Sequence, residues 1–343
     1  MQRLALTLSL ASLALSAYGH HSSIGIYDEE NPVEIEGVVT EVRWRNPHPS
    51  YTVAVTDTQG QTVDWFIETG SVNTLRLRGV DRDFISVGDR VHLAGQSSLR
   101  GRPEMFAENM LLPDGREVLL RAVSKPHWPA GRSGNIYERG FDEARAVEGR
   151  ATAQGLFRVW SPIFEDPEAY PLYTSGITQL TAQARTIKAQ YDPRGSGFTE
   201  CRAKGMPYIM ATAYPVEFIA QGENILIRIE EFDTERLVHM NAPPVAVPSS
   251  YTLLGHARGH WQGDTLVVET DGIETSYLYS DGTPQSRSIK LVERFDIAEG
   301  DERLNYRLSI TDPESFTETL EFSRYWVWQP DIRIQPYSCG NLQ

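Results

Sequence analysis

Cysteine is scarce in this sequence, which contains two in 343 residues, Cys201 and Cys339. The two show no Cys-x-x-Cys spacing, which argues against a thiol redox motif and a zinc knuckle. The chain also lacks the Gly-x-Ser-x-Gly, His-Glu-x-x-His, dinucleotide-binding and phosphate-loop motifs. Chemistry that depends on a bound nucleotide is therefore not expected.

An excess of basic residues is absent as well. There are 32 lysines and arginines against 46 aspartates and glutamates, for a formal net charge of −14. An acidic surface repels phosphate backbones and anionic membranes, so no nucleic-acid partner is predicted. After the N-terminus no apolar run approaches the ~20 residues that cross a bilayer, so no membrane span is predicted.

The long apolar run that does exist lies at the N-terminus, directly after the basic residue Arg3. Ala17 and Gly19 place small residues at positions −3 and −1 of a cut before His20, as in a secretory signal peptide. We expect residues 1–19 to be removed and the mature protein to be periplasmic or secreted. A buried N-terminal helix is the alternative.

Export bears on the two cysteines, because an oxidising compartment favours a disulfide between Cys201 and Cys339. On the chain-entropy model a bridge closing so long a loop stabilises the fold by about 4–5 kcal/mol. Two separate buried thiols are the alternative.

The composition is typical of β-rich architecture, with 10 % aromatic residues and 27 glycines and 20 prolines to form turns. Residues 33–121 read as short alternating strands separated by turns such as Pro113-Asp114-Gly115. Ser71 is a candidate N-cap for a helix over Val72–Leu77. Five or six antiparallel strands with one helix midway predict a small OB-like barrel over residues 20–121.

The following 122–150 segment has turn signals and no sustained periodicity, which indicates a linker. In the remaining domain, residues 151–343, helical spacing from Ile177 to Tyr191 predicts one helix that ends at Asp192-Pro193. From Met206 onwards, apolar segments separated by turns predict consecutive hairpins. The chain is thus predicted to be mainly β, with a C-terminal antiparallel meander barrel or sandwich of lipocalin-like form.

The last of these hairpins is predicted to join Leu320–Trp328 to Ile332–Tyr337 through the turn Gln329-Pro330-Asp331. The final strand of the chain would then pair with its neighbour directly.

Several short motifs occur in order in the first half: His20-His21-Ser22, Tyr27-Asp28, Asn31-Pro32-Val33, Trp44-x-Asn46-Pro47-His48, Glu68-Thr69-Gly70 and Gly88-Asp89. Together they resemble DUF6152, an exported bacterial family of unknown function, over about residues 20–121. The resemblance implies export and a domain of this extent, but no activity.

The second half resembles the C-terminal module of uncharacterised exported bacterial proteins. The motifs that carry this resemblance are Cys201 to Pro207, Gly255 to Val268, Val292 to Phe295 and Asp312 to Glu314. That module has Arg where this chain has His260, which weakens the case for a two-histidine metal site there.

Cleavage before His20 would expose an α-amino group next to an imidazole, and the two can chelate one metal ion. His21 and His48 could complete a site that suits copper, since His48 lies on a proline-flanked turn. Copper or another divalent metal is therefore the cofactor that this pattern suggests. A solvated, frayed terminus is the alternative.

A second candidate site lies on the predicted hairpin around Gly263-Asp264. His256 and Arg258 alternate on one strand, and the same face receives Glu269 and Asp271 from the partner strand. This set could bind a divalent metal or perform acid–base catalysis as a hydrolase, lyase or isomerase, with His256 and Glu269 as the main participants. If the opposite, apolar face forms the core, the charged face is instead a solvated surface.

Four residues form the predicted ligand-binding set. Glu293 and Arg294 point to opposite faces of a strand, so at least one is expected to be buried and paired. Trp326 and Trp328 share a face and either pack in the core or line a ligand cavity.

The leading functional prediction is a two-domain β protein that binds a small apolar or aromatic ligand in its C-terminal barrel, with the N-terminal domain as an accessory module. The enzyme and the copper-binding protein are the alternatives.

Overall fold

The computed structural model describes residues 26–129, 139–164, 166, 169, 176–192, 203–243, 250–274, 277–298 and 300–339. The predicted signal peptide, His20, His21 and Cys201 lie outside the described residues. The mainly β prediction is confirmed, because two sheets dominate the structure and its helices are short. Within the described ranges, no helix has the length and apolar composition needed to cross a membrane.

The first sheet closes on itself as a small barrel. Its strands β1–β6 are Tyr27–Arg43, Ser50–Thr56, Thr62–Glu68, Arg90–Ser98, Glu104–Leu111 and Glu117–Leu119. They lie in the order β3-β2-β1-β4-β5-β6, and β3 also pairs in parallel with β5. Strands β1–β5 therefore form a closed ring, called the first barrel below.

Helix α1, Val72–Leu77, lies between β3 and β4 and has the predicted bounds. Ser71 begins it, because its side chain accepts a hydrogen bond from the backbone N–H of Thr74 at 3.0 Å. The barrel interior is filled by fully buried apolar side chains such as Val53 and Leu93. The OB-like form of this barrel stays a prediction.

Helix α2, Glu143–Thr152, begins inside the segment that the sequence indicated as a linker. Asp142 caps it by accepting a hydrogen bond from the backbone of Arg145. The helix buries only Ala146 and Gly149, so it has no apolar stripe that periodicity could detect.

The second sheet has nine strands. Strands β7–β15 are Val159–Trp160, Val216–Gln221, Asn224–Ile229, Thr234–Met240, His256–Gln262, Thr265–Asp271, Lys290–Ile297, Arg303–Thr311 and Leu320–Val327. They are neighbours in chain order, and all pairs are antiparallel except β10–β11. Reciprocal backbone hydrogen bonds of 2.8 and 2.9 Å between Ser161 and Val327 join the two edges. The sheet thus nearly closes into what is called the second barrel below.

Helix α3, Ala182–Ala189, starts later than the predicted Ile177. Thr181 is the residue that caps it, through a 3.1 Å hydrogen bond from the backbone of Ala184 to its hydroxyl. The apolar spacing upstream reflects packing of Ile177 against the second core without a helix.

The predicted final strand, Ile332–Tyr337, is wrong. This segment has no partner strand in the described structure, because side chains take its backbone donors instead. The N–H of Gln335 donates to Glu230 at 2.8 Å, and that of Tyr337 donates to Asp233 at 3.0 Å. The segment therefore runs across the end of the second barrel towards the first.

Candidate functional site

A cavity of about 180 Å³, called the inter-barrel cavity below, lies where the two barrels meet. The residues with chemistry to offer there are His48, Ser71, Arg121, Lys204, Tyr208, Tyr214, Glu231 and Tyr337. Three of the quoted sequence motifs contribute here: Asn46-Pro47-His48 through Pro47 and His48, Glu68-Thr69-Gly70 through Gly70, and the second-half motif that ends at Pro207 through Lys204. The cavity thus combines motifs from both halves of the chain.

Asn46 holds the first-barrel wall in place. Its side-chain N–H groups donate to Asn73 at 2.7 Å and to the carbonyl of Tyr337 at 2.9 Å. Its side-chain oxygen accepts from the backbone of Val72 at 3.0 Å. Because Asn46 is buried, these bonds are shielded from water and tie the β1–β2 turn, helix α1 and the C-terminal segment together.

His48 is the one residue of the predicted copper site among the described residues. Its Nδ1 lies 2.6 Å from the carbonyl oxygen of Thr69, so this nitrogen carries a proton and donates. The ring packs edge-on against Phe106, with centroids 5.6 Å apart. Within the described part of the chain, no group of three or more histidine, cysteine or acidic residues could hold a metal ion. The copper site stays an untested prediction.

A buried ion pair forms the second-barrel wall. The Nζ of Lys204 lies 2.6 Å from Oε1 of Glu231, and the two side chains are 12 % and 4 % exposed. Burial lowers the pKa of Lys204, but the charge of Glu231 and the hydrogen bond to it outweigh burial, so this pKa is raised overall. Lys204 is therefore an ammonium ion, and it also lies 4.7 Å from the ring centroid of Tyr208.

Glu231 stands on a strained turn. It begins the 3-10 helix Glu231–Asp233 between β9 and β10. Phe232 and Asp233 have φ angles of 59° and 49°, the left-handed region that side chains other than glycine rarely adopt. Oε2 of Glu231 is buried and accepts no hydrogen bond from any described residue.

Two tyrosines, Tyr214 and Tyr337, also line the inter-barrel cavity. The hydroxyl of Tyr214 donates to Oγ of Ser71 at 2.8 Å, a bond that links the two barrels. Its ring meets that of Tyr337 edge-on, with centroids 5.7 Å apart. Burial raises the pKa of both phenols well above the usual range, so both are neutral.

Two further buried carboxyl groups, Glu68 and Glu230, are close in the chain to the cavity residues Gly70 and Glu231. Glu68 accepts a 2.6 Å hydrogen bond from the hydroxyl of Tyr27, and Glu230 accepts one of 2.9 Å from Asn73 across the barrel interface. Burial is the main cause that raises the pKa of each carboxyl group to about 7. Both groups therefore change charge near neutral pH.

The candidate catalytic hairpin has the expected register, with His256 opposite Asp271 and Arg258 opposite Glu269. Arg258 and Asp271 form a two-bond ion pair of 3.2 and 2.7 Å. Nε2 of His256 instead lies 3.0 Å from the carbonyl of Ser250.

The charged face of this hairpin lies on the outside of the second barrel. Leu266 and Val268, on the opposite face, are part of the core, while Glu269 is exposed. The structure brings Arg258 and Asp271 together and leaves Glu269 towards solvent. A catalytic role for the four residues stays an untested prediction.

Two of the four predicted ligand-binding residues lie in the packed interior of the second barrel. Glu293 is fully buried and binds both terminal nitrogens of Arg236 and the hydroxyl of Tyr306 at 3.0 Å. Trp326 is fully buried against Tyr306, with ring centroids 5.6 Å apart. These side chains fill space in the core.

The other two predicted ligand residues are partly exposed. Arg294 lies half-buried on the outer face of β13, opposite Arg307 of β14. Trp328 follows β15, and the guanidinium of Arg158 stacks 4.3 Å from its ring centroid. Neither of them lines the inter-barrel cavity.

Cys339 pairs with Asn46 in an isolated β-bridge next to the cavity, and it is not a free thiol. Its predicted partner Cys201 lies outside the described residues, so the pairing stays a prediction.

Sequence reasoning missed the main cavity residues, Lys204, Glu231 and the three tyrosines. One signal was present: Lys204 interrupts a motif that continues into the apolar segment Met206–Ala211. A lysine in such a segment needs a buried partner. The identity of that partner, Glu231, required the fold.

Comparison with known proteins bears on the first barrel. A family model described as a family of unknown function, DUF6152, matches residues 7–104. The N-terminal part of the chain is DUF6152-like. The match reaches from the N-terminal segment to the start of β5, so it includes the Asn46-Pro47-His48 and Glu68-Thr69-Gly70 motifs of the cavity.

The resemblance of the second half stays a prediction, and the search of curated proteins found no match to the chain.

Proposed function

We propose that this protein binds a small molecule with a single aromatic ring in the inter-barrel cavity. The observation that carries the proposal is a cavity of about 180 Å³ between the barrels that Tyr208, Tyr214 and Tyr337 line. An engineered apolar cavity of about 150 Å³ in another protein holds benzene, so this volume suits one ring. Tyrosine rings offer such a ligand offset and edge-on contacts.

The walls are preformed. Asn46 and Tyr214 fix their own segments through hydrogen bonds that join the two barrels. Apolar contacts from Pro47, Ala122 and Ala213 accompany the tyrosines. A mostly apolar cleft with a few placed polar groups is the usual form of a small-molecule site.

The proposal keeps the ligand class predicted from the sequence and changes its place. The interior of the second barrel is filled by Trp326, Tyr306 and the Arg236–Glu293 pair. A ligand there would have to displace packed side chains, whereas the inter-barrel cavity already offers volume.

Export and the disulfide belong to the same proposal. A Cys201–Cys339 bridge would hold the segment that carries Lys204 against the turn that carries Asn46, since Cys339 already pairs with Asn46. An exported binding protein would thus have its cavity closed by a covalent link that only an oxidising compartment allows.

The test is ligand-observed NMR and calorimetry with two single-ring probes, toluene and p-cresol. At least one probe should bind the wild-type protein with a Kd in the millimolar range or tighter. Val123 lines the cavity and is half-exposed, so a Val123→Trp variant should fold and fill the cavity. Val87, which is exposed elsewhere on the first barrel, provides the control Val87→Trp.

We expect Val123→Trp to abolish binding and Val87→Trp to leave it unchanged. The proposal is wrong if neither probe binds the wild-type protein or if the Val123→Trp variant binds as well as the wild type.

A further inference from the structure

We infer that the ligand is a neutral phenol-type molecule whose hydroxyl group is recognised by the Lys204–Glu231 pair. This inference rests on the proposed function and names the chemical class of its ligand. It depends on three features of the pair: an acceptor and a donor that no described residue occupies, and a balanced charge.

The acceptor is Oε2 of Glu231. The residue is 3 % exposed and lines the cavity, and this oxygen accepts no hydrogen bond from the described residues. Buried polar atoms almost always have a hydrogen-bond partner. A group that donates a hydrogen bond is therefore expected beside Glu231, and the cavity is where it would come from.

The donor is Nζ of Lys204. An ammonium group has three N–H bonds, and among the described residues this one donates a single hydrogen bond, to Oε1 of Glu231. The face of Tyr208 lies beside it at 4.7 Å. A ligand oxygen can thus accept from Lys204 while its own proton is donated to Glu231. One hydroxyl group does both, since its oxygen both donates and accepts.

The charge of the ligand follows from the pairing. Lys204 and Glu231 neutralise each other, and Arg121, the other cation of the lining, is paired with Glu108 at 2.7 Å. A charged ligand would lose its hydration and gain no unpaired counter-charge. An aromatic acid would approach Glu231, and an aromatic amine would approach Lys204. The site therefore favours a neutral ring with a hydroxyl group.

The test measures Kd for four probes of similar size: p-cresol, toluene, benzoate and benzylamine. The wild-type protein should bind p-cresol about tenfold or more tighter than the other three, because sites built for a hydroxyl group discriminate against analogues that lack it. Equal binding of p-cresol and toluene would mean that a water molecule, and not the ligand, donates the hydrogen bond to Glu231. The inference would then fail while the proposed function stands. Tighter binding of benzoate or benzylamine also overturns it.

A double variant, Lys204→Met with Glu231→Leu, replaces the pair by apolar side chains of similar volume, a change that buried pairs often tolerate. It should still bind toluene and lose the preference for p-cresol. The partly exposed pair Arg228–Glu217, changed to Met and Leu, is the control and should keep that preference. If the double variant does not fold, the wild-type ratio of p-cresol to toluene decides alone. Failure of all four probes overturns the proposed function itself.

Discussion

The first barrel closes with five strands, whereas the second needs nine, and this difference sets what fills each interior. Barrel diameter grows with strand number, so a ring of five brings backbones close together. A Cβ atom added to Gly37 or Gly95 would lie 2.5 or 2.4 Å from a carbonyl oxygen of the neighbouring strand. The small barrel therefore depends on glycine where strands approach, and its interior needs only apolar side chains.

The second barrel is wider, and long polar side chains span part of its interior. Arg236 and Glu293 pair there with Thr270 and Tyr306, all of them buried. An added Cβ at Gly259 would meet side-chain atoms of Met240 and Val238 and not backbone. The comparison shows one barrel with an apolar core that is limited by backbone distance and another that has an ion pair in its interior.

The largest expected effect on stability comes from removing one partner of the buried Arg236–Glu293 pair. A Glu293→Ala variant leaves the guanidinium of Arg236 buried without its partner, so the free energy of unfolding should fall by about 3–5 kcal/mol. Urea denaturation measures the change. The double variant Arg236→Met with Glu293→Leu should lose much less, since neither charge remains.

The matched control is the ion pair Arg307–Asp296 on the outside of the second barrel, whose side chains are 58 % and 27 % exposed. Asp296→Ala should change the free energy of unfolding by about 0–1 kcal/mol. A Glu293→Ala effect no larger than this control would remove buried charge as the distinguishing feature of the second barrel.

The next largest effect depends on how closely the backbones of neighbouring strands approach at Gly95. Gly95→Ala should lower the free energy of unfolding by about 1–3 kcal/mol, because the new methyl group meets the carbonyl of Phe106 and the strands must move. Gly259→Ala should cost less, since its methyl group meets the side chains of Met240, which can turn away, and Val238, and meets no backbone atom. Thermal and urea unfolding of the two variants provide the comparison, and equal losses would contradict it.

The smallest expected effect is on how steeply the free energy of unfolding changes with pH. Burial raises the pKa of Glu68 in the first barrel to about 7 from an ordinary value of 4.5. Between pH 4.5 and about 7 the folded protein therefore keeps a proton on Glu68 that the unfolded chain has released. The contribution of Glu68 to stability is fully present below pH 4.5 and is lost as the pH rises through about 7.

A Glu68→Gln variant has no such proton to lose. Its free energy of unfolding should therefore fall less steeply than that of the wild type between pH 4.5 and about 7. The two slopes should differ by up to about 1.4 kcal/mol per pH unit. Glu230→Gln should do the same for the second barrel, whose Glu230 also has a pKa of about 7. Denaturation curves at several pH values between about 5 and 7 measure the slopes. Parallel slopes for wild type and both variants would refute the assignment.

Local features were predictable from the sequence. Ser71 and the residues after it specify helix α1, because a capping hydroxyl and helical residues act within one turn. The register of the hairpin from His256 to Asp271 followed from strand alternation and a two-residue turn. Features without a local signal were missed, as with helix α2, which buries two small residues, Ala146 and Gly149.

The inter-barrel cavity was not predictable in the same way. His48 and Lys204 belong to motifs visible in the sequence, but Glu231 and Tyr337 reach the cavity only through a strained turn and a C-terminal segment that pairs with side chains. The carboxylates of Glu230 and Asp233 divert that segment from strand pairing.

By itself, the sequence determined that this chain is mainly β, where α1 begins and which faces of the strands are apolar, since these depend on neighbours within a few residues. Tertiary structure alone decided which distant segments close the barrels, through the parallel pair β3–β5 in the first and the Ser161–Val327 bridge in the second. It also decided that Lys204 and Glu231 share one wall of the inter-barrel cavity. Periodicity shows which side of a strand is buried, but not which distant strand or charge it will meet there.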